Sequence, residues 1–293
     1  MEAPHRLKVG ITGASGFIGQ RLIESLGRVG HLGIGYTRHP ERYVHGCIET
    51  RAFTPGKEVD VRGVDVMVNL AGEPIFGLWT KSKKRRILNS RRDGTRSVVD
   101  AMLNAGDKGP KVLINASAIG YYGDTGDREI DENSPAGTGF LSEVSQIWEA
   151  EAMRAATGGI RVAVLRIGLV LGRTGGALSV LRPIFRMGLG ARLGNGQQWV
   201  SWIHVSDVAR LAVFAIENPH VSGALNATAP TPVRSDEFTD ALARKFNRKV
   251  LFRAPEGLLK LALGDFSHAL LDSQRVLPHR TEELGYHCQY KKL

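Results

Sequence analysis

The sequence is poor in cysteine and has no pattern of metal-binding residues. Two cysteines, Cys47 and Cys288, occur among 293 residues, and the nine histidines show no ligand spacing. Two cysteines alone cannot complete a tetrahedral zinc site. Such sparse cysteine is typical of proteins in a reducing compartment. We therefore expect no metal site and a cytoplasmic location.

Long hydrophobic runs are also absent. No apolar run reaches the ~18 residues that a membrane-spanning helix needs. The N-terminal residues lead almost directly into the first predicted strand, which argues against a signal peptide. Hydrophobic residues still make up 42% of the chain, which is ample for a large core. These features predict a soluble protein with no membrane partner.

Acidic residues are outnumbered, because 39 lysines and arginines face 29 aspartates and glutamates, for a formal net charge of +10. Such an excess suits nucleic acid, an anionic cofactor or an anionic substrate. The densest basic run covers residues 81–86 and is followed by Arg91 and Arg92. Because no aromatic residues are interleaved with it, we interpret it as the solvated face of a helix. A nucleic-acid partner is the less favoured alternative.

Three glycines near the N-terminus carry the clearest signal. Residues 7–11 have the pattern of a short apolar strand, Gly13, Gly16 and Gly19 follow, and an amphipathic helix pattern begins at Ile18. Glycines allow a tight turn, the approach of a diphosphate to the backbone, and close packing of helix on sheet. The first amides of the helix then face the phosphates. This context predicts a dinucleotide site, and a glycine-rich turn without a ligand is the alternative.

The second predicted strand, residues 31–37, ends at Arg38. An acidic residue here would bind the ribose 2′-hydroxyl of NAD, whereas an arginine accommodates the 2′-phosphate of NADP. Residues 35–39 contain no acid, and Arg38 follows the glycines by about 20 residues. The sequence therefore favours NADP(H) over NAD(H). The alternative is a solvated loop arginine.

Strand and helix patterns alternate as far as about residue 168. Further strands are predicted at residues 47–53, 64–70, 111–118, 160–167 and 224–228, and helices at 81–104, 140–156, 178–187, 208–217, 235–246, 256–263, 266–271 and 280–284. Thr80 is the expected cap of the helix at 81–104, and Ser206 or Asp207 that of the helix at 208–217. Such alternation predicts βαβ units and an α/β fold with a Rossmann-type, doubly wound parallel sheet. Residues 1–168, with roughly 197–224, would form the dinucleotide-binding domain. Roughly 170–195 and 225–293 would form a small, mostly helical cap on the substrate side.

Several motifs resemble the extended short-chain dehydrogenase/reductase superfamily. They lie at residues 12–19, 69–72, 117–123 and 203–207. Residues 69–75, 90–95, 120–123, 140–149, 170–172 and the C-terminal stretch 264–278 are similar to a subgroup labelled NAD-dependent epimerase/dehydratase, or epimerase family protein. The similarity covers essentially the whole chain.

This resemblance implies an NADP(H) site formed by the glycine turn, the arginine after the second strand, and the segment after the buried strand at 64–70. The implied cofactor-binding residues are Gly13, Ser15, Gly16, Phe17, Ile18, Gly19, Arg38, Asn69, Leu70, Ala71, Gly72 and Glu73. Ser117 matches the superfamily's catalytic serine, although it lies one residue further from Tyr122 than in typical members.

The sequence departs from the superfamily at the catalytic pair, a tyrosine four residues before a lysine at the start of a helix. Phe140 and Val144 occupy these positions. Phenylalanine cannot transfer a proton and valine carries no charge, so the usual mechanism cannot be transferred. The candidates to replace this pair are Tyr121, Tyr122, Glu73 and His204. Each has a structural alternative, such as core packing for the tyrosines and helix capping for His204.

Two functions fit these features. The first is an oxidoreductase or epimerase that acts on an unidentified small substrate, with Ser117, Tyr121 and Tyr122 as candidate catalytic residues. The second is an NADP(H)-binding regulatory or scaffold protein without turnover. Aromatic residues that could line the substrate pocket are Phe76, Trp79, Tyr121, Phe185, Trp199 and Trp202. Helices flanking the sheet could also support a homodimer.

Overall fold

The computed structural model describes residues 6–173 and 175–293. The strands are β1 Lys8–Thr12, β2 Leu32–Thr37, β3 Cys47–Ala52, β4 Val66–Asn69, β5 Val112–Ala118, β6 Glu129–Ile130, β7 Arg161–Ile167, β8 Leu169–Gly172, β9 Gly175–Gly176, β10 Ala191–Leu193, β11 Trp199–Val200, β12 Trp202–His204, β13 Gly223–Ala227, β14 Val233–Arg234, β15 Phe252–Ala254 and β16 Arg275–Val276. The α-helices are α1 Phe17–Arg28, α2 Lys81–Ala105, α3 Phe140–Met153, α4 Ala177–Arg186, α5 Val205–Glu217, α6 Ser235–Lys245, α7 Glu256–Leu263, α8 His268–Leu271 and α9 His279–Glu283.

Seven strands form the central sheet, in the order β13–β7–β5–β4–β1–β2–β3. Every neighbouring pair in this sheet is parallel. The chain starts in the middle at β1, runs outward through β2 and β3, and then crosses to β4 and continues in the other direction. The predicted α/β fold with a doubly wound parallel sheet is confirmed. The reversal of strand order next to β1 opens a crevice at the carboxyl ends of β1 and β4.

Two pairs of helices cover the two faces of this sheet. On one face, Leu22 of α1 and Leu211 of α5 belong to a single buried cluster with Val9 of β1. On the other face, Val98 of α2 and Ala152 of α3 are buried in a second cluster, together with residues of the strands that point to that face. Burial of both faces explains why the central strands are nearly continuous apolar runs.

Two helix caps were predicted, and the structure confirms one of them. Thr80 caps α2, because its hydroxyl accepts a hydrogen bond from the Lys83 amide at 3.2 Å. Ser206 or Asp207 was the expected cap of α5, and this prediction is wrong. The helix begins at Val205, and His204 is its cap, with Nδ1 accepting from the Ser206 amide at 3.2 Å. The helical-capping alternative for His204 is thereby confirmed.

The segments that follow β7 add short helices and several small sheets. Helices α4 and α6 share a buried cluster that includes Leu178, Phe185, Trp202 and Phe238. The small sheets join β12 to β8 and β9, β10 to β15, β11 to β14, and β16 to β6. Most of these strands were not predicted, because two or three residues are too few to show a periodic pattern. The division into a dinucleotide-binding domain and a cap stays a prediction. Within the described residues, no helix combines the length and hydrophobicity needed to cross a membrane.

Candidate functional site

The glycine turn joins β1 to α1 at the centre of the sheet. Gly13 has a φ of +69°, a conformation that residues with a side chain rarely adopt. A Cβ on Gly19 would lie 2.4 Å from the carbonyl oxygen of Gly13, so α1 could not pack this closely with any other residue there. The predicted roles of Gly13 in the turn and Gly19 in helix packing therefore match the backbone geometry.

The first turn of α1 is open to the crevice. Gly16 is the N-cap, no side chain caps the helix, and no acidic residue lies in its first turn. Ser15 and Gly16 are exposed. The side chain of Ile18 packs against the core. The ring of Phe17 lies against Gly172, Gly175 and Gly176, where added Cβ atoms would approach it to 2.5–2.8 Å. Phe17 and Ile18 can therefore offer a ligand only their backbone amides.

Arg38 follows β2 directly and is exposed. Its guanidinium makes no hydrogen bond or ion pair with any residue that the structure describes. The neighbouring His39 lies 3.3 Å from the carboxylate of Glu41. A free guanidinium at the end of the second strand is available to an anionic ligand.

The side chain of Asn69 is committed to the sheet. Its oxygen accepts from Thr12 at 2.6 Å, and its amide nitrogen donates to Thr95 at 2.9 Å and to Asn115 at 2.7 Å. The Thr12 hydroxyl also accepts from the backbone amides of Leu70 and Ala71. This buried network fixes the carboxyl ends of β1, β4 and β5 relative to one another. Asn69 therefore acts as a positioning residue, and its prediction as a direct ligand is not supported by this geometry.

A cavity of about 710 Å³ lies between the strand ends and the segments that follow them. Its wall is mainly apolar and aromatic, and it includes Ile75, Phe76, Trp79, Ile87, Ala118, Phe140, Leu141, Val144, Trp148 and Leu169. Polar and charged residues on the wall are Lys84, Arg91, Asp124, Ser142, Ser145, Asp265, His268, Asp272 and Gln274. This cavity has a volume common for small-molecule sites.

Phe140 and Val144 both line the cavity at the start of α3. The Phe140 ring packs edge-on against Trp79, with centroids 5.2 Å apart, and Val144 is buried in the same cluster. The positions that would carry the tyrosine and lysine of the superfamily therefore do face the cavity. Their side chains supply apolar wall and no proton donor.

Ser117 does not face the cavity, which corrects its predicted role as the substrate-binding serine. Its hydroxyl donates to Glu149 at 2.7 Å, and Glu149 in turn pairs with the buried Arg166 at 2.9 Å. Side chains alternate along a strand, so Ala118 faces the cavity instead. The extra residue between Ser117 and Tyr122 was the signal of this change in register.

Tyr121 and Tyr122 are also placed away from the cavity wall, contrary to their prediction as catalytic residues. The Tyr122 hydroxyl donates to Asn226 at 2.7 Å and accepts from Arg166 at 2.9 Å. Burial raises the pKa of Tyr122 to about 12. The ring of Tyr121 stacks on the guanidinium of Arg166, 3.6 Å from the ring centroid. Both tyrosines thus serve to hold a buried arginine.

Glu73 and His204, the other predicted acid/base candidates, do not line the cavity either. The Glu73 carboxylate binds Lys83 at 2.8 Å, and this hydrogen bond lowers its pKa. The His204 ring stacks on Tyr290 with centroids 3.9 Å apart, and burial lowers its pKa. Glu73 is an ion-paired carboxylate and His204 a helix cap.

Of the aromatic residues predicted to line the pocket, Phe76 and Trp79 do so. Phe185 and Trp202 belong to the buried cluster of the small sheets. Trp199 packs between the guanidinium groups of Arg234 and Arg275. Residue type alone therefore did not predict which aromatic residues line the cavity and which pack elsewhere.

Sequence reasoning missed the charged residues of the wall. His268 is the first residue of α8 and Asp272 is its C-cap, and His268 Nδ1 lies 3.0 Å from a carboxylate oxygen of Asp272. Lys84 pairs with Asp265. The spacing of His268 and Asp272 was a usable signal, because residues i and i+4 face the same side of a helix.

The basic run at the start of α2 is largely paired with acids. Lys83 and Arg86 bind Glu73, at 2.8 and 3.4 Å, and Arg92 binds Asp93 at 2.7 Å. The run lies on α2, and its exposed residues 81, 82, 85 and 86 form the predicted solvated face, while the ion pairs take up part of its charge. Lys81 and Arg85 are exposed and have no ionic partner among the described residues.

Comparisons with known proteins agree with this geometry. The model of the NAD dependent epimerase/dehydratase family matches residues 9–227, and a domain of unknown function (DUF1731) matches residues 254–293. The epimerase family protein SDR39U1 homolog, chloroplastic, of Arabidopsis thaliana is 40% identical over 98% of this chain and 84% of its own length. Epimerase family protein YfhF of Bacillus subtilis is 36% identical over 98% of this chain and 95% of its own length.

A solved structure is also similar over nearly the whole chain. The crystal structure of human epimerase family protein SDR39U1 (isoform 2) with NADPH has 30% sequence identity and a TM-score of 0.87, and the match covers 98% of this chain and 96% of the human one. The resemblance that the motifs suggested is confirmed. This chain belongs to the NAD dependent epimerase/dehydratase family and has the extended short-chain dehydrogenase/reductase fold.

Proposed function

We propose that the chain binds NADP(H) across the carboxyl ends of β1, β2 and β4 and acts as an oxidoreductase or epimerase on a small substrate in the 710 Å³ cavity. The observation that carries this proposal is the exposed Arg38 guanidinium, which follows β2 at the same edge of the sheet as the glycine turn and has no ionic partner among the described residues. The human relative that was crystallised with NADPH supports the choice of cofactor.

The residues of the crevice fit such a dinucleotide. The backbone amides of residues 15–18, at the uncapped start of α1, would hold the diphosphate. Arg38 would pair with the 2′-phosphate. Gly13 and Gly19 would shape the turn, and residues 70–72 would offer backbone next to the ribose. When bound, the nicotinamide supplies a hydride donor or acceptor.

We also propose that His268 exchanges the proton in place of the missing tyrosine. Its Nδ1 faces the Asp272 carboxylate, which would orient the ring and leave Nε2 for the substrate. Other ionisable groups on the wall are less suited. Lys84 and Asp265 neutralise each other, and Asp124 accepts from the backbone amides of Gly126 and Ser273.

Arg38→Asp tests the cofactor site. We expect this variant to bind NADPH less tightly by about 1–3 kcal/mol, while binding of NADH changes little, because a charge-assisted bond to phosphate is lost. Calorimetric titration of both dinucleotides gives the two affinities. The matched control is Arg28→Asp, which makes the same charge change at the exposed far end of α1. An equal loss for NADPH and NADH in Arg38→Asp would contradict the role of Arg38.

His268→Gln tests turnover. The wild-type chain is expected to consume NADPH with at least one member of a panel of aldehydes and ketones, followed by the absorbance of the reduced nicotinamide. His268→Gln should bind NADPH normally and slow this consumption by about 10²-fold or more. His287→Gln, at an exposed residue on another segment, should have no effect. Tight NADPH binding with no consumption across the panel would favour the regulatory function instead.

A further inference from the structure

Arg91 is a cation of the cavity wall that forms no ion pair with any described residue, because the carboxylate that acts on it at longer range, that of Glu73, is bound to Lys83. Of the other basic residues on the wall, Lys84 pairs with Asp265 and His268 with Asp272. Arg91 contacts no carboxylate in the part of the chain that the structure describes. Its guanidinium is instead held by backbone, with Nη1 donating to the carbonyl oxygens of Glu73 at 3.0 Å and Ile87 at 3.2 Å.

The position of this guanidinium is fixed from two further sides. It lies over the ring of Trp148, 4.9 Å from the ring centroid. It also lies against Gly72, where an added Cβ would be 3.3 Å from the guanidinium carbon. Burial lowers the pKa of Arg91 to about 10, which reflects the loss of solvent around it. A desolvated cation with no carboxylate in contact is costly unless an anion joins it.

The donors that Arg91 leaves free suit a carboxylate. Its Nε and Nη2 make no hydrogen bond with any described residue, and these two groups form one edge of the planar guanidinium. That edge matches the two oxygens of a carboxylate in a bidentate pair. A phosphate dianion would call for a second free cation, and the other basic residues of the wall are already paired.

The rest of the wall is apolar and aromatic. Trp79, Phe140, Val144 and Trp148 surround the same space. Such a wall stabilises an apolar body by removing its surface from water. We infer that the cavity binds a small carboxylic acid with an aromatic or branched apolar body, whose carboxylate pairs with Nε and Nη2 of Arg91. Binding of such an acid does not depend on the proposed function. Only its role as the class of substrate rests on that proposal.

The test uses phenylacetate and its neutral counterpart, phenylacetamide, as probes of the full chain. Binding is followed by the fluorescence of the tryptophans, two of which, Trp79 and Trp148, line the cavity. We expect phenylacetate to bind the wild type more tightly than phenylacetamide does. Arg91→Gln should weaken phenylacetate by about tenfold or more and leave phenylacetamide unchanged. Arg91→Lys, which keeps a point charge, should give an intermediate affinity.

Arg85→Gln is the matched control, since it removes the same charge from an exposed position of the same helix. It should bind both probes like the wild type. Thermal unfolding of each variant checks that the fold is kept. If Arg91→Gln does not fold, the phenylacetate affinity of Arg91→Lys is compared with that of the wild type instead.

All titrations are run without a dinucleotide and again with saturating NADP, so the result does not depend on the cofactor proposal. Equal affinity of the wild type for acid and amide, including no binding of either, would overturn the inference. So would full phenylacetate binding by Arg91→Gln. A tenfold loss of NADPH affinity in Arg91→Gln would assign the guanidinium to a phosphate of the cofactor instead, and would overturn it too.

Discussion

The hydroxyl of Tyr122 illustrates how a polar residue next to a candidate site can serve the fold alone. It lies between Asn226 and Arg166, and Arg166 also binds Glu149, which holds Ser117. Each of these polar groups is buried or nearly so, and each has a partner. Leaving one unpaired would be costly, so the network fixes the ends of β5, β7 and β13.

Tyr122→Phe should therefore destabilise the protein by about 1–3 kcal/mol, because Asn226 and Arg166 each lose a partner. Urea unfolding measures this change. Tyr43→Phe is the control, since Tyr43 is 67% exposed and its hydroxyl bonds a single carbonyl. A loss no larger than that of Tyr43→Phe would contradict the structural role of Tyr122.

The same residue gives a pH dependence with a definite sign. The pKa of Tyr122 is about 12 in the folded state and 10.0 ordinarily. As pH rises from 10 towards 12, the unfolded state ionises first, so the stabilisation from the neutral phenol is lost. The cost of Tyr122→Phe should therefore be smaller at about pH 11 than near neutral pH. A constant difference in unfolding free energy would contradict this assignment.

Helix α1 contains two glycines in contrasting surroundings. A Cβ on Gly19 would lie 2.4 Å from one backbone oxygen and 2.7 Å from another, whereas nothing lies within 4 Å of a Cβ on Gly27. The backbone around Gly19 cannot yield without moving α1 off the sheet. Gly27 has no such constraint and carries only the entropic cost of glycine in a helix.

We predict opposite effects of alanine at these two positions. Gly19→Ala should destabilise the protein by about 1–3 kcal/mol through overpacking. Gly27→Ala should stabilise it by about 0.5–1 kcal/mol. Urea unfolding of both variants measures the difference. Stabilisation by Gly19→Ala would show that α1 tolerates a side chain at its closest approach to the turn.

The elements that local sequence determines were the ones predicted correctly. Strand β1, the glycine turn and α1 follow from hydrophobic periodicity and the backbone freedom of glycine. The role of Thr80 as the cap of α2 follows from the ability of its hydroxyl to accept a hydrogen bond from a backbone amide. The direction of Ser117 was predicted wrongly, because a shift of one residue moves a strand side chain to the other face, and the only signal of that shift was the extra residue before Tyr122. The wall residues Arg91 and His268 lie far apart in the sequence, and only the packing of α2 and α8 brings them to one cavity.

At the scale of the whole molecule, two buried carboxylates bind the backbone of the C-terminal segment. Asp207 accepts from the backbone amides of Gln289 at 2.8 Å and Tyr290 at 3.0 Å. Glu132 accepts from the amides of Arg280 at 3.0 Å and Thr281 at 3.2 Å. These anchors hold residues 280–290, the part of the chain that follows the wall residues His268 and Asp272. The cavity wall therefore combines residues between 74 and 169 with residues between 265 and 274.

The most direct test of the account is a crystal structure of the chain with NADPH. We predict that the diphosphate contacts the amides of residues 15–18, that the 2′-phosphate lies within hydrogen-bond distance of Arg38, and that the nicotinamide reaches the cavity beside Ala118 and Phe140. A 2′-phosphate in solvent away from Arg38, or a nicotinamide outside the cavity, would contradict the proposed site.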